Sequence, residues 1–148
     1  MVNSILDVRC SENSLKTHNN EFATGLKVND LLSLQNNSAF HEANVIGVDE
    51  AQFFDDIVEF VLLCERLEKT VIIAGLDGNY QRQPFGKILE CIPLCDSVDK
   101  LVALDMVSND GSAAIFTKRS EFYDKVSENI VVGGSDIYLA TNRKNYFS

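Results

Sequence analysis

Two adjacent carboxylates, Asp49 and Glu50, close a short apolar run at residues 44–50 and could support acid–base chemistry. The run has the length and composition of a strand in a parallel sheet, and such sheets bind ligands at the carboxyl ends of their strands. One carboxylate can hold Mg²⁺ on a polyphosphate while its neighbour takes a proton from an attacking hydroxyl. Alternatively, both side chains simply open the next helix, where acidic groups suit the N-terminus. Spacing alone does not decide between the two interpretations.

The composition limits the class of protein. The 148 residues, 45% hydrophobic and 24% charged, are typical of a globular protein that fits one domain. No apolar run approaches the roughly 20 residues that span a bilayer, and the first residues resemble no secretory signal. We therefore expect a cytoplasmic protein with no membrane partner. The net charge of -9 also argues against nucleic acid as a partner, because binding phosphates requires clustered Lys and Arg.

Four cysteines, Cys10, Cys64, Cys91 and Cys95, form no Cys-x-x-Cys pair. In a reducing compartment they are predicted to be small buried hydrophobic residues. The two histidines are distant in sequence, so we do not expect these cysteines to bind a metal.

The strongest helical pattern lies at residues 53–67, where apolar side chains recur every three or four residues and Asp55 and Asp56 would occupy the first turn. The apolar run at residues 70–76 predicts another strand, which gives a parallel βαβ unit. Weaker patterns predict a strand at 4–10, a loop at 11–20, a helix at 28–34, a loop at 35–38, a helix at 86–92 and a strand at 100–105. Short strand-like runs at 113–118, 129–132 and 136–140 predict a small β appendage.

Taken together, three groups of motifs resemble the cellular and poxvirus-type thymidine kinases. The sequence Asp-Glu-Ala-Gln-Phe-Phe at residues 49–54 is similar to that family's metal and base strand, and residues 76–86 are similar to its thymine-pocket loop. Residues 117–119 and 131–138 resemble the lasso that closes over the nucleoside. The resemblance implies an α/β fold of the P-loop NTPase-like (RecA-like) class, with a parallel sheet and helices at 1–104 and a small C-terminal β lasso at 105–148.

The resemblance also implies roles for individual residues. Glu50 would be the general base for a nucleoside 5′-hydroxyl, and Asp49 would lie near the Mg²⁺ of ATP. The nucleotide would also be approached by Asp7, Val8, Arg9 and Gln52. The base would lie in a slot formed by Phe53, Leu76, Tyr80 and Phe85, with backbone groups of Asn129, Ile130, Val131, Val132 and Gly133 on the thymine edge and Tyr138 close by. The alternative for the aromatic residues is packing in the core.

The sequence departs from the family in two places. It contains no Gly-rich loop ending in Gly-Lys-Ser or Gly-Lys-Thr, since Gly86-Lys87 is followed by Ile88. We therefore expect the chain to begin at the family's second strand, as an N-terminally truncated copy. The family's zinc-binding Cys-x-x-Cys pairs match residues 105–108 and 142–145, which contain no cysteine. We predict no bound zinc and a looser lasso, unless packing around Met106, Tyr146 and Phe147 replaces the metal.

The resemblance implies ATP- and Mg²⁺-dependent phosphoryl transfer to the 5′-hydroxyl of thymidine, in nucleoside salvage for DNA synthesis. Little or no turnover is expected of this chain alone, because a phosphate loop is absent. The alternative is a catalytically dead copy that serves as a binding or interaction module beside an active kinase. A plain structural α/β domain would leave the pocket-loop motif unexplained. Expected partners are thymidine or a related deoxynucleoside, thymidine triphosphate, and kinase-family chains in a homo- or hetero-oligomer.

Overall fold

A computed structural model describes residues 1–4, 14–16, 22–120 and 137–148. The strands are β1 (Val2–Ser4), β2 (Ser14–Lys16), β3 (Phe22–Thr24), β4 (Leu26–Val28), β5 (Val45–Val48), β6 (Thr70–Ile73), β7 (Ala103–Leu104), β8 (Ala113–Ala114), β9 (Phe116–Arg119) and β10 (Tyr138–Thr141). The α-helices are α1 (Ser38–Glu42), α2 (Ile57–Arg66) and α3 (Arg143–Tyr146), and 3-10 helices span Leu32–Asn36, Ala51–Phe53 and Ile88–Leu94. The chain divides into two compact units, Met1–Asp77 with Phe85–Asp96, and Gly78–Pro84 with Ser97–Ser148.

The first unit contains a four-stranded sheet in the order β4-β1-β5-β6. Every neighbouring pair is parallel, with Val2 opposite both Leu26 and Val48, and Val45 opposite Thr70. The predicted βαβ unit is confirmed, because α2 connects the parallel strands β5 and β6. The fold is therefore the predicted mixed α/β type, consistent with the P-loop NTPase-like class, with small antiparallel strands toward the C-terminus.

Strand β5 lies inside the sheet, as expected, but it is buried on one face only. Ile46 and Val48 are buried, whereas Val45 is exposed, because successive side chains of a strand point to opposite faces. The buried face belongs to one hydrophobic core that also contains Ile57 and Phe60 of α2. This core fixes where β5 ends, and with it the position of the acidic residues that follow.

Helix α2 begins later than the sequence predicted. The chain first makes a 3-10 turn over Ala51–Phe53, so the helix starts at Ile57 rather than Phe53. Asp56 is the N-cap residue instead of a first-turn residue, and its Oδ2 accepts a hydrogen bond of 2.8 Å from the backbone N–H of Leu32. A carboxylate committed to that distant backbone group does not cap its own helix.

Several weaker predictions were wrong or only partly right. Val28 ends strand β4 instead of starting a helix, because pairing of β4 with β1 overrides the local pattern. The helix expected at 28–34 is present only from Leu32, as the 3-10 helix Leu32–Asn36. The 3-10 helix Leu32–Asn36 and helix α1 both extend into the expected loop at 35–38. Strand β2, which pairs antiparallel with β3, lies within the expected loop at 11–20. Of the predicted strand at 4–10, only Ser4 is described, as the last residue of β1. The helix expected at 86–92 is a 3-10 helix, Ile88–Leu94.

The second unit is built from short antiparallel strands. Strand β10 pairs with β9, placing Tyr138 opposite Arg119 and Thr141 opposite Phe116. The strand expected at 100–105 is reduced to β7, which pairs with β8. Strands were correctly expected near 113–118 and 136–140, whereas residues 129–132 lie outside the described part of the chain. Among the described residues, no helix is both long enough and apolar enough to cross a membrane.

The cysteines differ in exposure. Cys64 and Cys91 are buried, as predicted, but Cys95 is exposed, so the prediction was wrong there. Cys95 follows the end of the 3-10 helix at Leu94, and Cys10 lies outside the described residues. Burial raises the pKa of the Cys91 thiol to about 11, and it also raises the pKa of Cys64.

We expect iodoacetamide at a pH of about 8 to modify Cys95 much faster than Cys64 or Cys91, because alkylation needs an accessible thiolate. A raised pKa keeps the two buried thiols protonated at this pH, so burial and protonation act in the same direction. Peptide mapping by mass spectrometry after timed labelling measures all three sites in one sample. Equal labelling rates at Cys91 and Cys95 would contradict the prediction.

Candidate functional site

The acidic pair forms a turn directly after β5. The Asp49 N–H donates to Val2 O at 2.9 Å, and the Glu50 N–H donates to Asp49 Oδ1 at 3.0 Å. Glu50 adopts the left-handed conformation, with φ 51° and ψ 41°, which costs an L-residue about 1 kcal/mol or more. Such strain in a non-glycine residue is common where a side chain must be aimed at a ligand. The alternative that the pair opens the next helix holds in position only: Glu50 is the N-cap of the 3-10 helix Ala51–Phe53, but its side chain makes no capping hydrogen bond there, and α2 begins only at Ile57.

Gln52 links the acidic turn to the end of β6. Its side chain is only 4% exposed, although it is a polar amide. Its Nε2 donates to Glu50 Oε2 at 2.7 Å, and its Oε1 accepts from the Leu76 N–H at 3.0 Å. Buried amides are stable when their donors and acceptors are satisfied, so this pair of bonds fixes both the Gln52 amide and the Glu50 carboxylate.

Two glycines allow the chain to approach Gln52 closely. A Cβ atom at Gly75 would lie 2.5 Å from Gln52 Oε1, and one at Gly86 would lie 2.1 Å from the Gln52 carbonyl oxygen. Gly86 also has a positive φ of 58°. The segment after β6 and the end of the pocket-loop motif therefore both pack on Gln52, and neither approach tolerates a side chain.

Phe53 and Phe85 form an edge-to-face aromatic pair beside Gln52. Their ring centroids are 5.5 Å apart and their planes are at 87°. Both rings are partly exposed, and neither belongs to the buried core, so the core-packing alternative does not describe them. Leu76 is held next to them through its N–H bond to Gln52. The first unit thus brings the predicted residues Asp49, Glu50, Gln52, Phe53, Leu76 and Phe85 to one end of its sheet.

Tyr80 belongs to the second unit, where a compact turn fixes its backbone. Asn79 Oδ1 accepts hydrogen bonds from the N–H groups of Gln81 and Gln83, at 2.9 and 3.0 Å. The Tyr146 hydroxyl donates to the Tyr80 carbonyl oxygen at 2.7 Å. The position of the Tyr80 backbone is therefore fixed by this turn and by Tyr146, which is 66 residues away in sequence.

Charged and aromatic groups surround the Tyr80 ring. The Arg119 guanidinium lies 5.0 Å from the ring centroid, and its Nη1 donates to the Tyr80 hydroxyl at 3.4 Å. The Tyr138 ring lies 6.4 Å away, so two predicted substrate residues are neighbours. A pocket of about 220 Å³ in this unit is lined by Tyr80, Gln81, Lys118, Arg119 and Tyr146. Sites for small molecules usually exceed about 300 Å³, so these residues alone do not enclose a nucleoside.

Some of the predicted residues lie outside the described part of the chain, namely Asp7, Val8, Arg9, Asn129, Ile130, Val131, Val132 and Gly133. Sequence reasoning missed the contribution of Arg119 to the Tyr80 ring, of Tyr146 to the Tyr80 backbone, and of Gly75 and Gly86 to Gln52. No local pattern could have indicated them, because each partner is distant in sequence.

The described residues offer limited means of holding a metal. No group of three or more His, Cys, Asp or Glu side chains in the described ranges could bind an ion. Mg²⁺ on a nucleotide needs less, because it usually takes one or two carboxylates and completes its shell with phosphates and water. Asp49, partly exposed at the end of β5, fits that role. The Gln52 amide oxygen is already bound to the Leu76 N–H and is less suited to it.

Comparisons with known proteins show which family the chain belongs to. A family model described as thymidine kinase matches residues 1–146. The chain is 38% identical over 152 residues to thymidine kinase a of Arabidopsis thaliana, covering 100% of the chain and 62% of that protein. It is 41% identical over 133 residues to the thymidine kinase of Yaba monkey tumor virus, covering 90% of the chain and 70% of the viral protein.

The cytosolic thymidine kinase of Homo sapiens is 48% identical over 103 residues, which are 70% of this chain and 42% of the human protein. The thymidine kinase of Oryza sativa is 37% identical over 150 residues, and the chain covers 54% of its length. The chain thus spans only part of the length of these relatives. A family match over nearly all of its residues, together with these identities, shows that the chain belongs to the thymidine kinase family.

Proposed function

We propose that the chain binds the nucleoside and supplies the general base in the reaction of its family. That reaction is the ATP-dependent transfer of a phosphoryl group to the 5′-hydroxyl of thymidine. The observation that carries this proposal is the strained Glu50 turn at the end of β5, held by the 2.7 Å hydrogen bond from Gln52. A carboxylate whose orientation is fixed in advance suits a general base, because proton transfer requires hydrogen-bond geometry in the transition state.

Glu50 would accept the proton of the 5′-hydroxyl as the oxygen attacks the phosphorus. Gln52 is then a positioning residue rather than a nucleotide contact, because its side chain is buried and both ends of its amide are bonded. Its hydrogen bond orients the Glu50 carboxylate. This arrangement resembles other catalytic bases, whose orientation is set by a neighbouring group.

Asp49 would hold the Mg²⁺ that accompanies ATP. When bound, the metal neutralises charge on the transferring phosphoryl group. Asp49 lies at the carboxyl end of a parallel strand, the usual place for this function in α/β folds. Arg9, with Asp7 and Val8, would approach the triphosphate as the family resemblance implies.

The family resemblance implies that aromatic side chains hold the nucleoside base. Phe53 and Phe85 offer an edge-to-face pair, and Leu76 adds an apolar contact. The resemblance also gives Tyr80, Tyr138 and the backbone groups of residues 129–133 a role in binding the base. Flat apolar walls with a few polar groups are typical of sites for planar ligands.

Phosphoryl transfer also needs a cradle for the phosphates of ATP, and the 148 residues contain no Gly-Lys-Ser or Gly-Lys-Thr loop. Losing one preorganised donor of this type costs about 3 kcal/mol of barrier, and a whole loop supplies several. We therefore expect no measurable turnover from this chain alone. The same observation favours a second candidate function, a cytoplasmic module that binds thymidine or thymidine triphosphate within an oligomer containing an active kinase.

Calorimetry with thymidine and a kinase assay with ATP and Mg²⁺ test these proposals on the same 148 residues. Thymidine should bind, Tyr80→Ala should weaken binding about tenfold or more by removing an aromatic wall, and the assay should give no product. Binding should persist in Glu50→Gln, because that substitution keeps the side chain's shape and its contact to Gln52. Glu59→Gln, an exposed carboxylate on α2, is the matched control for the change in charge.

The possible outcomes separate the candidate functions. Absence of heat with thymidine in the unmodified chain would refute the nucleoside pocket. Product formation that disappears in Glu50→Gln but not in Glu59→Gln would confirm Glu50 as the base and refute the expected inactivity. Product formation unaffected by Glu50→Gln would refute the role of Glu50.

A further inference from the structure

The second unit contains a polar cluster where the family resemblance implies a zinc clip. The matching segments, residues 105–108 and 142–145, supply one carboxylate, one hydroxyl and two side-chain amides instead of four thiolates. Zinc in structural sites is bound by thiolate and imidazole groups, and neutral amides and hydroxyls are poor substitutes. The residues present therefore do not fit the metal.

The cluster is organised around the carboxylate of Asp105, which is only 2% exposed. Its Oδ2 accepts hydrogen bonds from the Ser108 N–H at 2.6 Å, the Ser108 hydroxyl at 2.7 Å and the Asn145 amide at 2.8 Å. Its Oδ1 accepts from the Asn142 N–H at 2.6 Å. Both oxygens of Asp105 thus accept hydrogen bonds from the other three positions that match the family's metal ligands, Ser108, Asn142 and Asn145.

These bonds connect segments that are far apart in sequence. Asn142 and Asn145 lie 37 and 40 residues after Asp105, at the start and within the single turn of α3. Asn142 also caps α3, because its Oδ1 accepts from the Asn145 N–H at 2.8 Å, and its amide donates to the Ser112 hydroxyl at 3.1 Å. The cluster therefore ties α3 to the turn after β7, which is the connection a zinc ion would make.

Hydrogen bonds stabilise the negative charge of the buried Asp105 carboxylate. Burial by itself would raise the pKa of this carboxyl, but the hydrogen bonds from Ser108, Asn142 and Asn145 outweigh it and hold the pKa well below its ordinary value. A buried anion with several charge-assisted hydrogen bonds stabilises the segments that donate them, whereas an unsatisfied one would disrupt them. The carboxylate provides the central negative charge, and the surrounding amides and hydroxyl provide the links.

We propose that Asp105 is the centre of a metal-free clip that replaces the zinc site of the family and keeps α3 fastened without any bound ion. This clip, defined by Asp105, Ser108, Asn142 and Asn145, replaces the looser lasso expected from the sequence. It also positions Tyr80, because α3 carries Tyr146, whose hydroxyl donates to the Tyr80 carbonyl oxygen. The clip itself does not depend on the proposed function. Only the relevance of Tyr80 positioning to nucleoside binding rests on it.

Hydrogen exchange and thermal unfolding of the 148-residue chain test the clip. In the unmodified chain, chelator and added zinc should leave the Tm unchanged, and elemental analysis should find no stoichiometric zinc. Asp105→Asn puts a donor amide among the existing donors, so the Tm should fall by several degrees and the N–H groups of Ser108 and Asn142 should exchange about tenfold faster or more. Asp99→Asn, an exposed carboxylate in the same unit, is the matched control and should change neither.

Asn145→Ala is the second variant, because it removes one donor and keeps the Asp105 charge. It should accelerate exchange at the same two N–H groups to a smaller extent, even if Asp105→Asn fails to fold. One zinc per chain with a Tm that falls in chelator would overturn the proposal. It would also be overturned by unchanged exchange in Asn145→Ala. None of these readouts depends on nucleoside binding or turnover, so the clip and the proposed function can fail independently.

Discussion

Replacing Gly86 by alanine should destabilise the first unit by about 3 kcal/mol or more. The new Cβ would lie 2.1 Å from the Gln52 carbonyl oxygen and 3.0 Å from its carbonyl carbon, both backbone atoms that cannot rotate away. The φ of 58° adds the cost of a left-handed conformation. Relief requires moving either the Gly86 segment or Gln52, and moving Gln52 weakens its hydrogen bond to Glu50. Urea unfolding followed by circular dichroism measures the loss.

Gly111→Ala is the matched control for Gly86→Ala. Gly111 also has a positive φ, of 81°, but a Cβ atom there would meet nothing within 4 Å. The free energy of unfolding of Gly111→Ala should therefore fall only by the cost of the left-handed conformation, about 1 kcal/mol. Equal losses in the two variants would show that the close approach to Gln52 is not what Gly86 provides. If the larger loss is found, Gly86→Ala should also weaken thymidine binding, because Phe85 next to it would shift.

Replacing Phe60 by alanine should cost the first unit about 3–5 kcal/mol. The side chain is 0% exposed, lies on the inner face of α2, and packs with its ring centroid 5.9 Å from that of Phe40. Removing the ring leaves a cavity beneath the sheet that the surrounding side chains fill only in part. The free energy of unfolding, from urea titration, should fall by this amount.

Phe147→Ala removes the same side chain from an exposed position and is the control for Phe60→Ala. Phe147 is 67% exposed, and its ring contacts Arg82, whose guanidinium lies 4.8 Å from the centroid. An exposed cation–π contact is worth about 1 kcal/mol or less, so the loss should be small. A loss at Phe147 as large as that at Phe60 would contradict the assignment of the core to the inner face of α2.

The clip around Asp105 changes how a lost metal site is interpreted. Because residues 105–108 and 142–145 contain no cysteine, the sequence predicts no zinc site in the second unit and therefore a looser lasso. The contacts give a different picture, since five hydrogen bonds reach the Asp105 carboxylate from Val107, Ser108, Asn142 and Asn145. We infer that a buried, fully bonded carboxylate can connect the segments that thiolates and zinc connect elsewhere in the family.

The sequence by itself determined the β5–α2–β6 unit, the placement of Asp49 and Glu50 at a strand end, and the family. Each of these depends on patterns that can be read along the chain, where periodicity, composition and motif order carry the information. The apolar spacing of α2 and the unbroken run of β6 are of this local kind, although the start of α2 was displaced by the Glu50 turn.

Only the tertiary structure decided the features that join distant segments. Leu26–Val28 became a strand because β1 was available to pair with it, and Cys95 is exposed together with Ile92 and Leu94 of the preceding 3-10 helix. Gln52 became a positioning residue because Gly75 and Gly86 approach it from other loops. Asp105 became the centre of a clip because Asn142 and Asn145 fold back onto it. Such contacts depend on which groups the fold brings within hydrogen-bonding distance, and local sequence patterns contain no record of that.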